Sequence, residues 1–220
     1  MPERAAPSVA IVDYGLGNLF SVAQACAAMG LRTTVTSDAD ELQRSACIVL
    51  PGVGAFGDAM SALSRLGLVA VLQRAPEDGI PLVGICLGMQ LLMERSREFG
   101  VYEGLGLIPG TVERLQPEHD AGTIGAIKVP QVGWNGIFGG HWDASLLKGV
   151  ANGEPMYFVH SYAVFPSRED DVLARSSYGG VSFCSAIARG RVTGFQFHPE
   201  RSGPAGLGIY RNLAAALTPR

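Results

Sequence analysis

The chain is poor in the features that mark several large protein classes. It has four cysteines, Cys26, Cys47, Cys86 and Cys184, far apart and with no C-x-x-C pair. That spacing argues against a disulfide framework and against a zinc ribbon, so a reduced, cytoplasmic compartment is expected. Charged residues make up 17% and the net charge is −3. No Lys/Arg cluster stands out, so there is no nucleic-acid footprint. The low charge is consistent with a surface partly covered by a partner. No apolar run approaches the roughly 18–20 residues that span a bilayer, and no membrane role is expected. The opening MPERAAPS lacks the apolar core of a secretory signal and reads as a flexible tail over residues 1–8. There is no internal repeat, low-complexity tract or evident linker. A chain of 220 residues with 47% apolar content is expected to build one domain, over 9–218.

What is present is an alternation. SVAIVDYG (8–15), LRTTVTS (31–37), ACIVLPG (46–52) and IPLVGI (80–85) read as strands. NLFSVAQACAAMG (18–30) reads as a helix with Asn18 as N-cap and Gly30 as its stop. Helical patterns follow near 56–75, and LGMQLLMERSREF (87–99) reads as a helix behind the fourth strand. Strands alternating with helices predict an α/β fold with an open, mostly parallel sheet. The second half changes character. GTVERL, IKVPQVGWN, MYFVHSYAVF, VLARSSY, VSFCSAIARG and RVTGFQFHPE are strand-like and predict an antiparallel extension, closed by a helix over 207–217.

Ligands of open parallel sheets gather at the carboxyl ends of the strands. Cys86 falls there, inside GICLG, a strand–turn–helix elbow of the kind better known with serine. Gly84 and Gly88 would let backbones pack around a strained turn, and the following helix start would favour thiolate over thiol. The amide of Leu87 would be free for a developing oxyanion. On the turn alone, a packed core cysteine remains an equal reading.

A nucleophile needs a base. Of four histidines, His119 is read in a polar loop, His141 in a turn and His160 on a strand. In GFQFHPE, alternation puts Phe195 and Phe197 on one face and Gln196, His198 and Glu200 on the other. Two residues of extended chain span about 6–7 Å, so Glu200 could hold one nitrogen of His198 and leave the other for a thiol. Alone, this is also how a solvated strand end looks. One His and one Glu do not fill a metal's ligand set, so no metal is expected. In LPGVGAFG (50–57), Gly52, Gly54 and Gly57 free the backbone to aim amides inward beside Cys86. It lacks a P-loop ending, and no acidic residue is placed for a dinucleotide's ribose.

Taken together, PGVGAF, GICLGMQ and FQFHPE resemble the class I (triad) glutamine amidotransferases. DYGLGN, PGVGAFG, GICLGMQLL, GWN, YFVHSY and GFQFHPERS are similar, within that group, to the glutaminase-subunit family of imidazole glycerol phosphate synthase, from residue 13 to about 203. The resemblance implies Cys86 as nucleophile, His198 as base and then acid, and Glu200 as orienter. It implies that Gly52 and Val53 form the oxyanion strand, with Leu87 as the other donor. It implies that Gln90, Ser161 and Tyr162 contact glutamine. It further implies a (β/α)₈-barrel cyclase partner near Asn18, Gly133, Trp134, Asn135 and Tyr157, and no cofactor. For Trp134, plain core packing is the other reading. Two positions depart from the family pattern: Gln131, often His, and Arg201, often Lys. Both are expected to bear on the partner interface and to leave the triad intact.

Overall fold

A computed structural model describes residues 7–117, 127–140 and 142–218. His119, His141 and residues 1–6 of the expected tail lie outside these residues. The first strand, β1, already begins at Ser8, inside the stretch read as tail.

The alternation of the first half becomes β1 (Ser8–Val12), α1 (Leu19–Ala28), β2 (Arg32–Thr36), α2 (Ala39–Arg44), β3 (Cys47–Gly52), α3 (Phe56–Arg65), α4 (Val69–Arg74) and β4 (Leu82–Cys86). Asn18 caps α1, its side chain accepting from the Ser21 amide at 3.4 Å. Helix α2 is an addition to the sequence reading. Asp38 starts it by accepting from the amides of Asp40 and Glu41.

The second half supplies α5 (Leu87–Leu91), β5 (Met93–Ser96), β6 (Tyr102–Glu103), β7 (Ile108–Arg114), β8 (Gln131–Gly136), β9 (Pro155–His160), β10 (Tyr162–Pro166), β11 (Val172–Tyr178), β12 (Val181–Arg189), β13 (Val192–Phe195) and α6 (Gly203–Leu217). The helix predicted over 87–99 stops at Leu91. Met93–Ser96 is instead a strand, pairing parallel with β7 and antiparallel with β6. Good helix formers lose here to a neighbouring ladder that needs partners for its backbone groups.

Eleven strands form one sheet in the order β2-β1-β3-β4-β13-β12-β10-β7-β5-β6, with β11 beside β12. From β2 to β13 every pairing is parallel. Beyond β13 the sheet turns antiparallel, apart from the β5–β7 pair. Alternation divides the strands between two cores. Val9, Ile11, Val49, Val83 and Ile85 pack with residues of α1 and α6, such as Val22, Ile209 and Leu213. Ala10, Val12, Ile48, Leu50 and Leu82 pack with residues of α2 to α5, such as Leu42, Phe56, Leu63, Leu72 and Met89. Strands β3 and β4 are buried on both faces, as expected for a parallel sheet under helices.

A separate two-stranded ribbon, β8–β9, leaves the main sheet. MYFVHSYAVF, read as one strand, therefore serves two sheets and breaks at Ser161. The His160 Nδ1–H donates to the Tyr162 carbonyl at 2.8 Å, across that break.

Candidate active site

The turn after β4 is strained. Cys86 holds φ at 55°, one of two non-glycine residues with positive φ among those described. Such a backbone costs of order 1–3 kcal/mol and persists only where the surroundings enforce it. Here glycine enforces it. A Cβ on Gly84 would meet the Gly88 carbonyl and the Met89 amide at 2.7 Å, and a Cβ on Gly88 would run into the Leu50 carbonyl oxygen. The two glycines let α5 sit directly on the ends of β3 and β4. Leu87 is the first residue of α5, where an amide has no partner within its helix.

Register then sets the neighbours of Cys86. Gly52 ends β3 level with it. Val53 and Gly54 continue from there into the wall of a cleft of about 330 Å³. Cys86, Leu87, Gln90, Glu98, Ser161, Tyr162, His160 and His198 line the same cleft, with Asn18 and Arg201. Cys86 is only 7% exposed, and that exposure is into the cleft. Its thiol donates to the Val159 carbonyl at 3.7 Å and accepts from Gln196 Nε2 at 3.8 Å.

His198 follows β13 on the face opposite the buried rings of Phe195 and Phe197. Its Nδ1 lies 2.8 Å from Glu200 Oε1. The link is not extended chain, as the sequence suggested. Pro199–Arg201 form a 3₁₀ turn, which brings the carboxylate back under the ring. Burial pulls the His198 pKa down, but interaction with the Cys86 sulfur and the Glu200 carboxylate outweighs it and raises the value to about 10. An imidazole so placed keeps its proton at neutral pH. His160 behaves oppositely. Burial lowers its pKa to about 4, against the opposing Tyr162 carbonyl bond, so it is neutral.

Gln90 spans the cleft floor, its Nε2 donating to the Tyr162 carbonyl at 2.9 Å and to Gln196 Oε1 at 3.1 Å. The structure thus gathers Cys86, His198, Glu200, Gly52, Val53, Leu87, Gln90, Ser161 and Tyr162 at one corner.

The expected partner residues divide. Asn18 and Arg201 stand in the cleft wall. The Arg201 guanidinium lies over the Tyr157 ring at 4.7 Å, and Tyr157 meets Trp134 edge-on at 5.9 Å. Trp134 is 59% exposed, which overturns core packing for it. Asn135 is half-buried, its Nδ2 donating to the Ser177 carbonyl at 2.9 Å. Gln131 is 2% exposed, opposite His160 in the ribbon, so its side chain lies beneath the surface that Val132 and Trp134 present.

Sequence reading missed three residues here. Glu98 accepts from the Phe56 amide at 2.7 Å, and its carboxyl is pushed upward by burial against that bond. It was hidden inside the overextended helix. Gln196 shares the His198 face, and its amide links Gln90 to the Cys86 sulfur. Ser202 donates to the His198 carbonyl at 2.7 Å and accepts from the Tyr157 amide at 3.0 Å, while the His198 amide donates to the Tyr157 carbonyl at 2.9 Å. Only its place two residues after Glu200 hinted at this.

A family model, "Glutamine amidotransferase class-I", matches residues 10–215. The chain belongs to the class I glutamine amidotransferases. It is 45% identical to the imidazole glycerol phosphate synthase subunit HisH of Geobacillus kaustophilus, over 96% of this chain and 98% of that one. It is 44% identical to the HisH subunit of Moorella thermoacetica, over 93% of each. Among solved structures, PurLQS from Thermotoga maritima superposes with a TM-score of 0.74 at 19% identity, over 97% of this chain and 100% of that one, a likeness of fold. An amidotransferase of this class is an enzyme whose fold, a mostly parallel sheet with an antiparallel extension, is the one described above. Among the described residues no helix is long and apolar enough to cross a membrane.

Proposed function

We propose that the chain hydrolyses glutamine to glutamate and ammonia through a γ-glutamyl thioester on Cys86, as the glutaminase subunit of an imidazole glycerol phosphate synthase. The observation that carries this is the strained Cys86 beside an imidazole whose far nitrogen is held by Glu200. Nucleophile and base face one cleft, and the orienter is buried behind the base.

The chemistry balances with these groups alone. Cys86 sulfur, as thiolate, attacks the side-chain amide carbon. The carbonyl oxygen takes the charge and is held by the amides of Leu87 and Val53. The His198 imidazolium gives its proton to the leaving nitrogen, and ammonia departs as the C–N bond breaks. A water then loses a proton to His198 and attacks the thioester carbon. The C–S bond breaks, glutamate leaves, and the thiolate–imidazolium pair returns. Glu200 keeps the ring oriented and stabilises its charge. Gln90, Ser161 and Tyr162 hold the substrate backbone, and Glu98 offers a carboxylate for its ammonium group. No cofactor is needed for these steps.

The ammonia passes to a (β/α)₈-barrel cyclase, which completes imidazole glycerol phosphate. The HisH names of the relatives support this, as does an apolar rim beside the cleft. Phe20, Val132 and Trp134 are each more than half exposed there, with Arg201 stacked on Tyr157. Desolvated aromatic and arginine side chains are what anchor an interface. The test is glutamate release from glutamine, with and without the purified cyclase and its substrate. The reading requires release that depends on Cys86. Copurification with no barrel protein, and no glutamate under either condition, would count against it.

A further inference from the structure

Tyr14 lies outside every role assigned so far. It follows β1 in the DYG bend and is 5% exposed. Its hydroxyl donates to the Pro51 carbonyl at 2.8 Å. That carbonyl belongs to the Pro51–Gly52 peptide, at the last step of β3. A Cβ on Gly52 would collide with the same hydroxyl and would meet Leu87 Cβ at 2.9 Å. The phenol oxygen therefore fills the space that a side chain at position 52 would occupy, level with Cys86. Just beyond, restraint ends. Val53 is 44% exposed and Gly54 sits at φ 104°. One peptide is pinned, and the next is free to turn.

We infer that Tyr14 is a positioning residue for glutamine hydrolysis. Its hydroxyl fixes the Pro51–Gly52 peptide, so that rotation at the end of β3 is confined to the Gly52–Val53 peptide, whose N–H must face the oxygen of the attacked amide. A buried phenol bonded to a main-chain carbonyl suits that task. It restrains through one directional bond and touches no substrate. The inference rests on the proposed glutaminase chemistry for its kinetic consequence, though not for its structural one.

The variant Tyr14→Phe removes one oxygen and keeps the ring in the core. Three readouts separate the possibilities. Glutamine turnover is expected to fall roughly ten- to hundredfold, mostly in kcat, because a misplaced donor is costly in the transition state. Alkylation of Cys86 by iodoacetamide, which needs no oxyanion donor, is expected to keep its wild-type rate and pH profile. Deuterium exchange over residues 50–57 is expected to quicken at least threefold, on the order of a small loss in local opening free energy. The exchange readout needs no turnover, so it holds even if the glutaminase reading fails. A folded Tyr14→Phe protein with wild-type exchange over 50–57 overturns the inference. So does a parallel fall in alkylation and turnover, which would place the effect on the sulfur.

Discussion

The two walls of the cleft are built by opposite strategies. One is the carboxyl edge of the parallel half, where β3 and β4 are buried on both faces and α5 is set on glycine contacts. The other is the β8–β9 ribbon, which pairs only with itself and alternates Val132, Trp134 and Val159 outward with Gln131, Phe158 and His160 inward. The first wall is closely packed up to Gly52, where an added Cβ would meet the Tyr14 hydroxyl and Leu87, and opens at the exposed Val53. The second presents apolar side chains to solvent. The walls are tied together by the Tyr157, His198 and Ser202 main-chain and hydroxyl bonds. The proposed chemistry thus lies on the edge closed by glycine contacts, and the proposed docking face on the exposed side of the ribbon. The base sits on the seam.

That contrast can be broken most severely at the sulfur. Cys86→Ala is expected to cut glutamine-dependent activity of the assembled synthase roughly a thousandfold or more, while ammonia-dependent activity stays. Steady-state assays with each nitrogen source check this. Glu200→Gln keeps the shape and removes the charge. Turnover should fall about a hundredfold. In the wild type His198 holds its proton until the pH rises through about 10, which sets the alkaline limb of activity. Without the Glu200 contribution this limb moves to lower pH, which a pH–rate profile measures.

The ribbon side is expected to respond differently. Trp134→Ala should weaken cyclase binding by roughly ten- to thirtyfold while iodoacetamide labelling of Cys86 is unchanged. Titration calorimetry and labelling together decide it. The effect on turnover is smallest for a stability change on the inward face. His160 has its folded pKa near 4, below the ordinary 6.5, so the unfolded chain binds a proton that the folded chain refuses. Its contribution is complete above pH 6.5 and is lost as the pH falls towards 4. Between those values the wild type should lose up to about 3 kcal/mol that His160→Gln does not, read from denaturant unfolding at each pH.

Legibility followed the same division. In the parallel half, continuous apolar runs and Gly-Pro punctuation mark β1, β3 and β4 directly, and GICLG marks the elbow. These are local signals, because a doubly buried strand and a glycine-enforced turn each leave their own composition. The phenylalanine alternation around His198 was equally readable. Glu98 was not, because MERSREF has the composition of a helix, and only the distant β7 ladder makes it a strand and loop. The break at Ser161 was hidden for a similar reason. Whether YFVHSYAV stays in one sheet depends on a partner strand some 25 residues earlier. The burial of Gln131 was hidden likewise, since it comes from ribbon pairing across that same gap.

The most direct test is to trap the intermediate. His198→Asn keeps the nucleophile and removes both the proton donor for ammonia and the base for water. Solvent can still protonate the leaving nitrogen, whereas water at neutral pH has no other base, so the thioester forms slowly and persists. Incubated with glutamine and its partner, quenched in acid and digested, it should carry one glutamyl group on the peptide containing Cys86, detected by mass spectrometry. Glutamate release that persists in Cys86→Ala, with no adduct on that peptide in any variant, would contradict the account.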